Sequence, residues 1–187
     1  ATSVSEQMQS TFKHWLSNQP AGYFVEAKLA ERDQRHARFG GTRYAVEPNV
    51  KDGKGGLRDL HTLFWISKYA YRLDHVRGVL GAGILRTSEA RAFASSQRFL
   101  WTVRCFLHQH HGREDDRLTF DAQMQLAPLM GFADRSGLRG VERFMKRYYL
   151  AARQVGNLTR IFCAALATDF DQRPRLSLRK LWVAGVA

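Results

Sequence analysis

The chain has 187 residues, of which 44% are hydrophobic and 12% aromatic, so it can bury a core and is not intrinsically disordered. No apolar run approaches the roughly 18 to 20 residues that a membrane-spanning helix needs, so we expect no membrane span. The polar N-terminus, ATSVSEQMQS, does not resemble a signal peptide.

The two cysteines, Cys105 and Cys163, are too few for a disulfide framework. Both fall in apolar helical patterns, which predicts buried free thiols in a reducing compartment, the cytoplasm. The chain begins without methionine, and we expect it to be part of a longer polypeptide.

The charge balance is strongly basic, with 29 Lys and Arg against 17 Asp and Glu and a net charge of +12. Such an excess favours anionic partners. The cations are spread along the chain with no run of five or more like charges, which argues against a dedicated nucleic-acid interface. A basic module that binds nucleic acid or an acidic protein therefore stays as an alternative function.

Helical spacing of apolar residues dominates the sequence and predicts an all-α helical bundle. The predicted helices and helical turns lie over residues 5–16, 21–39, 57–71, 73–80, 88–111, 121–130 and 138–166. Thr87 is the expected N-cap of the fifth segment, and glycines at positions 40, 41 and 112 are expected helix ends. We expect an N-terminal helical segment at 1–20, a helical domain at 21–170 and a polar linker or tail at 171–187.

One short strand is predicted over residues 43–46, within the sequence TRYAV, because β-branched and aromatic residues alternate there. A single strand needs a partner, so this one is expected to pair with a segment that the chain lacks. A glycine-rich loop follows, up to residue 56. Cations at Lys51, Lys54 and Arg58 surround this loop, and its layout can direct backbone N–H groups at an anion. It matches neither a Walker A motif nor a dinucleotide fingerprint, and an ordinary surface turn is the competing interpretation.

The sequence EPNVKDGKGGLRDLHTLFWISKY, which starts at Glu47, resembles the signature of the helical domain in bacterial bifunctional uridylyltransferase/uridylyl-removing enzymes that modify the signal protein PII. Two further segments, FLWTVRCFLHQHHGREDDRLTFDAQMQLAPLMGF and VERFMKRYYLAARQVGNLTRIF, resemble that family in the same order. The similarity covers roughly residues 20–170. It implies a middle domain, preceded by a nucleotidyltransferase domain and followed by an HD hydrolase domain and regulatory domains.

The resemblance also implies that catalytic metal sites lie outside this chain. The transferase core needs an Asp-x-Asp pair after a glycine turn, and the only such spacing here is Asp169/Asp171 in the polar tail. The chain contains no His-Asp dipeptide for the hydrolase. We therefore expect no catalytic or metal-binding residue here and an inactive isolated chain. Mg²⁺, UTP and PII are expected to act with the intact enzyme, which would transfer UMP from UTP to a tyrosine of PII.

By the same resemblance the signature lies against the nucleotidyltransferase active site. Lys51 and Arg58 would neutralise triphosphate charge, and Gly55 and Gly56 would let the backbone approach the phosphates. Three further signature residues would support this site by fixing the cations, binding metal-bound water or holding the loop, namely Glu47, Asn49 and Asp59. A purely structural linker between the transferase and hydrolase domains is the other alternative function.

Two other clusters are interpreted as structural. One cluster has the residue types of a metal site but not the spacing, and it consists of His108, His110, His111, Glu114, Asp115 and Asp116. We expect a solvated helix end there, with Arg113 and Asp116 in loop salt bridges. The basic side of the last helix is expected to be a solvated face rather than a nucleic-acid contact, and it carries Arg143, Lys146, Arg147 and Arg153.

Overall fold

The computed structural model describes residues 3–17, 21–71, 85–135 and 137–172. Those residues form six helices and no strand, which confirms the all-α bundle. The helices are α1 (Val4–Ser17), α2 (Ala21–Arg38), α3 (Leu57–Ala70), α4 (Thr87–His111), α5 (Phe120–Leu129) and α6 (Gly140–Gln172). The predicted turn at 73–80 and most of the predicted tail lie outside the described residues, and the domain boundaries stay predictions.

The last helix, α6, forms the centre of the core. Its apolar stripe has the 3.6-residue period of an amphipathic helix, and Phe144, Tyr148, Val155 and Phe162 are fully or almost fully buried. Helices α3, α4 and α5 all pack against it. The stripe predicted from the sequence is therefore the main packing surface of the domain.

Helix α2 completes the bundle by packing on α3. The ring of Phe24 on α2 stacks on Tyr69 of α3, with ring centres 4.1 Å apart. The opposite side of α3, which includes Leu60, Leu63 and Ile66, is buried in the core. Helix α3 is thus covered on more than one side.

Most helix ends lie within two residues of the predicted positions, but α6 continues to Gln172, six residues beyond its predicted end and into the predicted polar tail. Gly112 ends α4 in the left-handed conformation at φ 61°. The N-cap of α4 is Arg86 rather than the predicted Thr87, because the Glu89 carboxylate accepts a 2.7 Å hydrogen bond from the Arg86 N–H. In the described residues, no helix is both long and apolar enough to cross a membrane.

The predicted strand over 43–46 is not formed. Helix side chains bond its carbonyl groups instead: the Tyr149 hydroxyl donates to Ala45 at 3.1 Å and the Gln123 amide to Val46 at 2.8 Å. Backbone pairing occurs a few residues later, as an isolated bridge between Asn49 and Arg117. The extended segment therefore has its partners within this chain, not in a missing one.

The cysteine prediction is wrong in its burial. Both thiols are free, but Cys105 is exposed on α4 and Cys163 is half-buried on α6. The buried face of α4 includes Val103 and Leu107, which are one helical turn apart. Cys105 lies between them in the sequence and therefore faces away from the core.

Candidate functional site

The glycine-rich loop is folded by its own hydrogen bonds. The Asn49 side-chain oxygen accepts from the N–H groups of Lys51 at 3.0 Å and Asp52 at 2.6 Å, which forms an Asx turn. The N–H groups of Leu57 and Arg58, at the start of α3, donate to the carbonyls of Val50 and Lys51. Because these N–H groups already have acceptors, contact with an anion at this loop falls to its side chains.

The loop glycines are explained by close packing. Gly55 has φ +83°, and a Cβ there would lie 2.6 Å from the carbonyl oxygen and 2.9 Å from the Cα of Ala152 on α6. A Cβ on Gly56 would lie within 3 Å of three loop carbonyl oxygens. Both positions therefore need glycine for the loop to rest on α6 and turn into α3.

Asp59 fixes the loop to α2 from a buried position. Its carboxylate accepts hydrogen bonds from Arg35 Nη2 at 2.7 Å, His36 Nε2 at 2.8 and 2.9 Å and the Gly55 N–H at 2.8 Å. Burial by itself raises the pKa of Asp59, but the hydrogen bonds from His36, Gly55 and Arg35 outweigh it, and the pKa lies below its usual value. The structure therefore places Asp59 in a structural network, with its oxygens engaged by protein donors.

Lys51 lies at an acidic segment that follows α4. Its ammonium is 3.1 Å from Glu114 Oε1 and 3.6 Å from Asp116 Oδ2. Asp116 also accepts from Arg104 Nε at 2.6 Å and contacts His108 Nε2 at 3.0 Å. Burial raises the pKa of Asp116, and the bonds from Arg104 and His108 reverse that effect and lower it. Two carboxylates thus already balance the charge of Lys51.

Arg58 and Glu47 are the remaining charged residues of the predicted site. Arg58 is the more accessible predicted cation, since its side chain is 45% exposed and its only described ion pair is Asp52, 3.5 Å away. Glu47 accepts from Arg117 Nη2 at 2.7 Å and from the Phe120 N–H at 3.0 Å. Glu47 therefore holds the start of α5, and Arg58 is the predicted phosphate ligand with the least competition inside the chain.

The histidine-rich end of α4 forms ion pairs with the loop that follows. Besides His108 and Asp116, His111 Nδ1 lies 3.1 Å from Asp115 Oδ2. In the part of the chain that the structure describes, no group of three or more His, Cys, Asp or Glu side chains is arranged to hold a metal ion. Arg113 lies 3.8 Å from Asp115, so the predicted salt bridges of this segment are formed.

A basic cleft that was not predicted from the sequence lies between α2, the glycine-rich loop and α6. The cleft has a volume of about 360 Å³, and Arg43, Lys54 and Arg160 are among its lining residues. Gly156, also in its wall, is the one signal that the sequence offers. A glycine in the middle of a helix costs stability and therefore marks a place where something approaches the backbone closely.

Comparison with known proteins identifies the family. A family model described as GlnD PII-uridylyltransferase matches residues 23–163. The chain belongs to this family. The membership predicted from the glycine-rich signature is thereby confirmed.

Curated relatives of the GlnD family share more than half of the aligned residues. The bifunctional uridylyltransferase/uridylyl-removing enzymes of Azospirillum brasilense and Rhodospirillum rubrum are 55% and 56% identical over 158 residues, which is 84% of this chain. The enzyme of the same name from Nitrobacter hamburgensis is 56% identical over 146 residues. The chain spans only 17% of the length of the first two relatives and corresponds to one part of each of those enzymes. No solved structure matches it.

Proposed function

We propose that this chain is the helical domain of a uridylyltransferase/uridylyl-removing enzyme and supports transfer of UMP from UTP to a tyrosine of PII. The observation that carries this proposal is the 55–56% identity, over 84% of the chain, to enzymes of that name. The chain contributes no catalytic residue of its own. The neighbouring nucleotidyltransferase and HD domains of the same cytoplasmic polypeptide supply the chemistry.

The described carboxylates do not fit a Mg²⁺ site in this chain. Glu47, Asp59 and Asp116 are each engaged by arginine, histidine or backbone donors at 2.6–3.0 Å. A hard cation needs several oxygen ligands that are free of such partners. Mg²⁺ therefore belongs with the neighbouring transferase domain, and no step of the reaction is assigned to it here.

The contribution of this domain is a rigid, positively charged surface beside the bound nucleotide. The internal hydrogen bonds of the loop and the Asp59 network hold the start of α3 in one position, and Arg58 projects from it with 45% of its side chain exposed. A fixed guanidinium near a triphosphate stabilises the charge that develops during phosphoryl transfer without reorganisation. Arg58 is therefore the residue that we expect to contact UTP.

The test is Arg58→Ala in the full-length enzyme, with UMP transfer to PII and uridylyl removal measured separately. We expect kcat/KM for UTP to fall at least about tenfold, as loss of one charged contact to phosphate predicts, while uridylyl removal is unchanged. Arg91→Ala, an exposed cation on α4, is the matched control and should leave both activities intact.

Two results would contradict this role for Arg58. Unchanged kcat/KM for UTP in a folded Arg58→Ala enzyme would leave the domain as a structural linker. An equal fall in transfer and removal would show that Arg58 maintains the arrangement of domains rather than contacting UTP.

A further inference from the structure

The basic cleft is a surface separate from the exposed side chain of Arg58, which does not line it. Residues from α2, the segment after it, the glycine-rich loop and α6 form its wall, including Arg32, Asp33, His36, Arg43, Lys54 and Arg160. Its volume of about 360 Å³ lies at the lower end of the range for small-molecule sites.

The acidic residues of the cleft are already neutralised. Asp33 is 2.7 Å from Arg32 Nη2, and Asp59 accepts hydrogen bonds from Arg35 and His36. Within the described residues, the three remaining cations of the cleft have no carboxylate partner, namely Arg43, Lys54 and Arg160. Lys54 instead donates to the Gly41 carbonyl at 3.0 Å. The cleft therefore carries an excess of about three positive charges.

Arg43 is held in the cleft in an unusual way. Its Nε is buried and has no hydrogen-bond acceptor among the described residues. Its guanidinium lies directly over Gly156, where a Cβ would come within 2.4–2.6 Å of Nε, Cζ and Nη2. The helix thus accepts a destabilising glycine at a position where any side chain would displace this guanidinium. Such an arrangement positions a cation for a ligand, because within the described part of the chain it leaves the charge of Arg43 without a carboxylate and its Nε–H without an acceptor.

We propose that this cleft binds a phosphoryl anion with two or more phosphates, through Arg43, Lys54 and Arg160. Guanidinium groups bind phosphate oxygens in pairs, and three cations that line one cleft match the charge of a pyrophosphate better than that of a single carboxylate. Lys54 belongs to the glycine-rich signature, but none of these three cations is among the residues predicted to contact UTP. Binding at the cleft therefore does not depend on whether Arg58 contacts UTP.

The test is calorimetric titration of the chain with pyrophosphate at fixed ionic strength, with UTP, UMP and sulfate in parallel. We expect saturable pyrophosphate binding with a dissociation constant below about 1 mM, and weaker binding of UMP and sulfate. If UTP binds more tightly than pyrophosphate and Arg160→Ala weakens both, the cleft takes a nucleotide triphosphate. If UTP binds equally or more weakly, the cleft takes free pyrophosphate.

Two variants test the assignment to this cleft. Arg160→Ala removes a cation from an exposed helix position and should weaken pyrophosphate binding about tenfold. Gly156→Ala should weaken it similarly by displacing Arg43, without loss of helical circular dichroism. Arg153→Ala removes the same charge from an exposed position on the same helix, outside the cleft, and should leave the affinity within about twofold.

The proposal is overturned by absence of saturable pyrophosphate binding to the folded chain. It is also overturned if Arg153→Ala and Arg160→Ala weaken binding equally, since that result would show only a general attraction of anions to a basic protein. The proposal is supported if Arg160→Ala and Gly156→Ala weaken pyrophosphate binding, Arg153→Ala does not, and all three variants keep the native circular dichroism.

Discussion

Replacement of Asp59 by asparagine should be among the most destabilising single-atom changes in this domain. The variant keeps the shape of the side chain and removes its charge. Arg35 and His36 would then face a neutral amide, with 10% and 13% of their side chains exposed. The Nε atom of Arg35 already has no acceptor among the described residues, so its guanidinium would lose its main counter-charge while it stays buried.

The size of the effect follows from the burial of the pair. Asp59 is 3% exposed as a side chain and accepts bonds of 2.7–2.9 Å from three different residues. Removal of one partner from such a buried ion pair costs about 3–5 kcal/mol, because a charge remains without compensation. For a domain of this size that loss lowers the melting temperature on the order of 10 °C.

Urea unfolding followed by far-ultraviolet circular dichroism measures this loss. The matched control is Asp52→Asn, in the same loop, whose carboxylate lies 3.5 Å from Arg58 and whose side chain is 24% exposed, against 3% for Asp59. We expect the control to lose less than about 1 kcal/mol, as surface ion pairs do. Equal unfolding midpoints for the two variants would refute the role of Asp59 as the buried link between the loop and α2.

Three further predictions concern the glycines and the pH dependence of stability. Gly55→Ala should lower the free energy of unfolding in urea by about 2–4 kcal/mol, because strain from the positive φ adds to a collision with the backbone of α6. Gly40→Ala, at φ +80° in open space, should lower it by only about 1–2 kcal/mol. Gly156→Ala should leave the free energy of unfolding unchanged or raise it by up to about 1 kcal/mol, since Arg43 can move aside; a clear loss would contradict this. The pKa of Asp59 is lowered in the folded state, so this residue adds stability above its ordinary pKa of 3.8 and loses it as the pH falls through the folded pKa. In Asp59→Asn the free energy of unfolding should therefore depend less on pH in the acid range, as measured by fluorescence.

The helices could be predicted from the sequence because their signals are local. The apolar period of α6 and the left-handed glycine at 112 each depend on residues within a few turns. The strand over 43–46 was predicted wrongly for the same reason. Its β propensity is real, but Tyr149 and Gln123, about 80 to 100 positions later in the chain, bond its carbonyl groups.

The sequence predicts which segment forms the site, but not which residues from elsewhere in the chain contact it. The sequence marks the loop through its glycines and cations, but it does not show that Glu114 and Asp116 approach Lys51 from more than 60 residues away. Nor does it show that Arg43 and Arg160 line one cleft. Contacts of this kind depend on how helices pack, and no spacing rule within one segment encodes them.

The signature therefore divides into residues that folding requires and residues that it does not. Gly55, Gly56 and Asp59 are required because the loop must rest on α6 and join α2, whatever the domain binds. Folding does not explain Arg58 in the same way. Its cation lies at a helix N-terminus, where the helix dipole disfavours it, and 45% of its side chain is exposed. A residue that costs stability and has no packing contact to explain it is a candidate for ligand binding, which is why we propose Arg58 as the contact to UTP. At Gly156, the three atoms nearest to an added Cβ all belong to the Arg43 guanidinium, so the glycine in α6 makes room for a cation that we propose to bind phosphate.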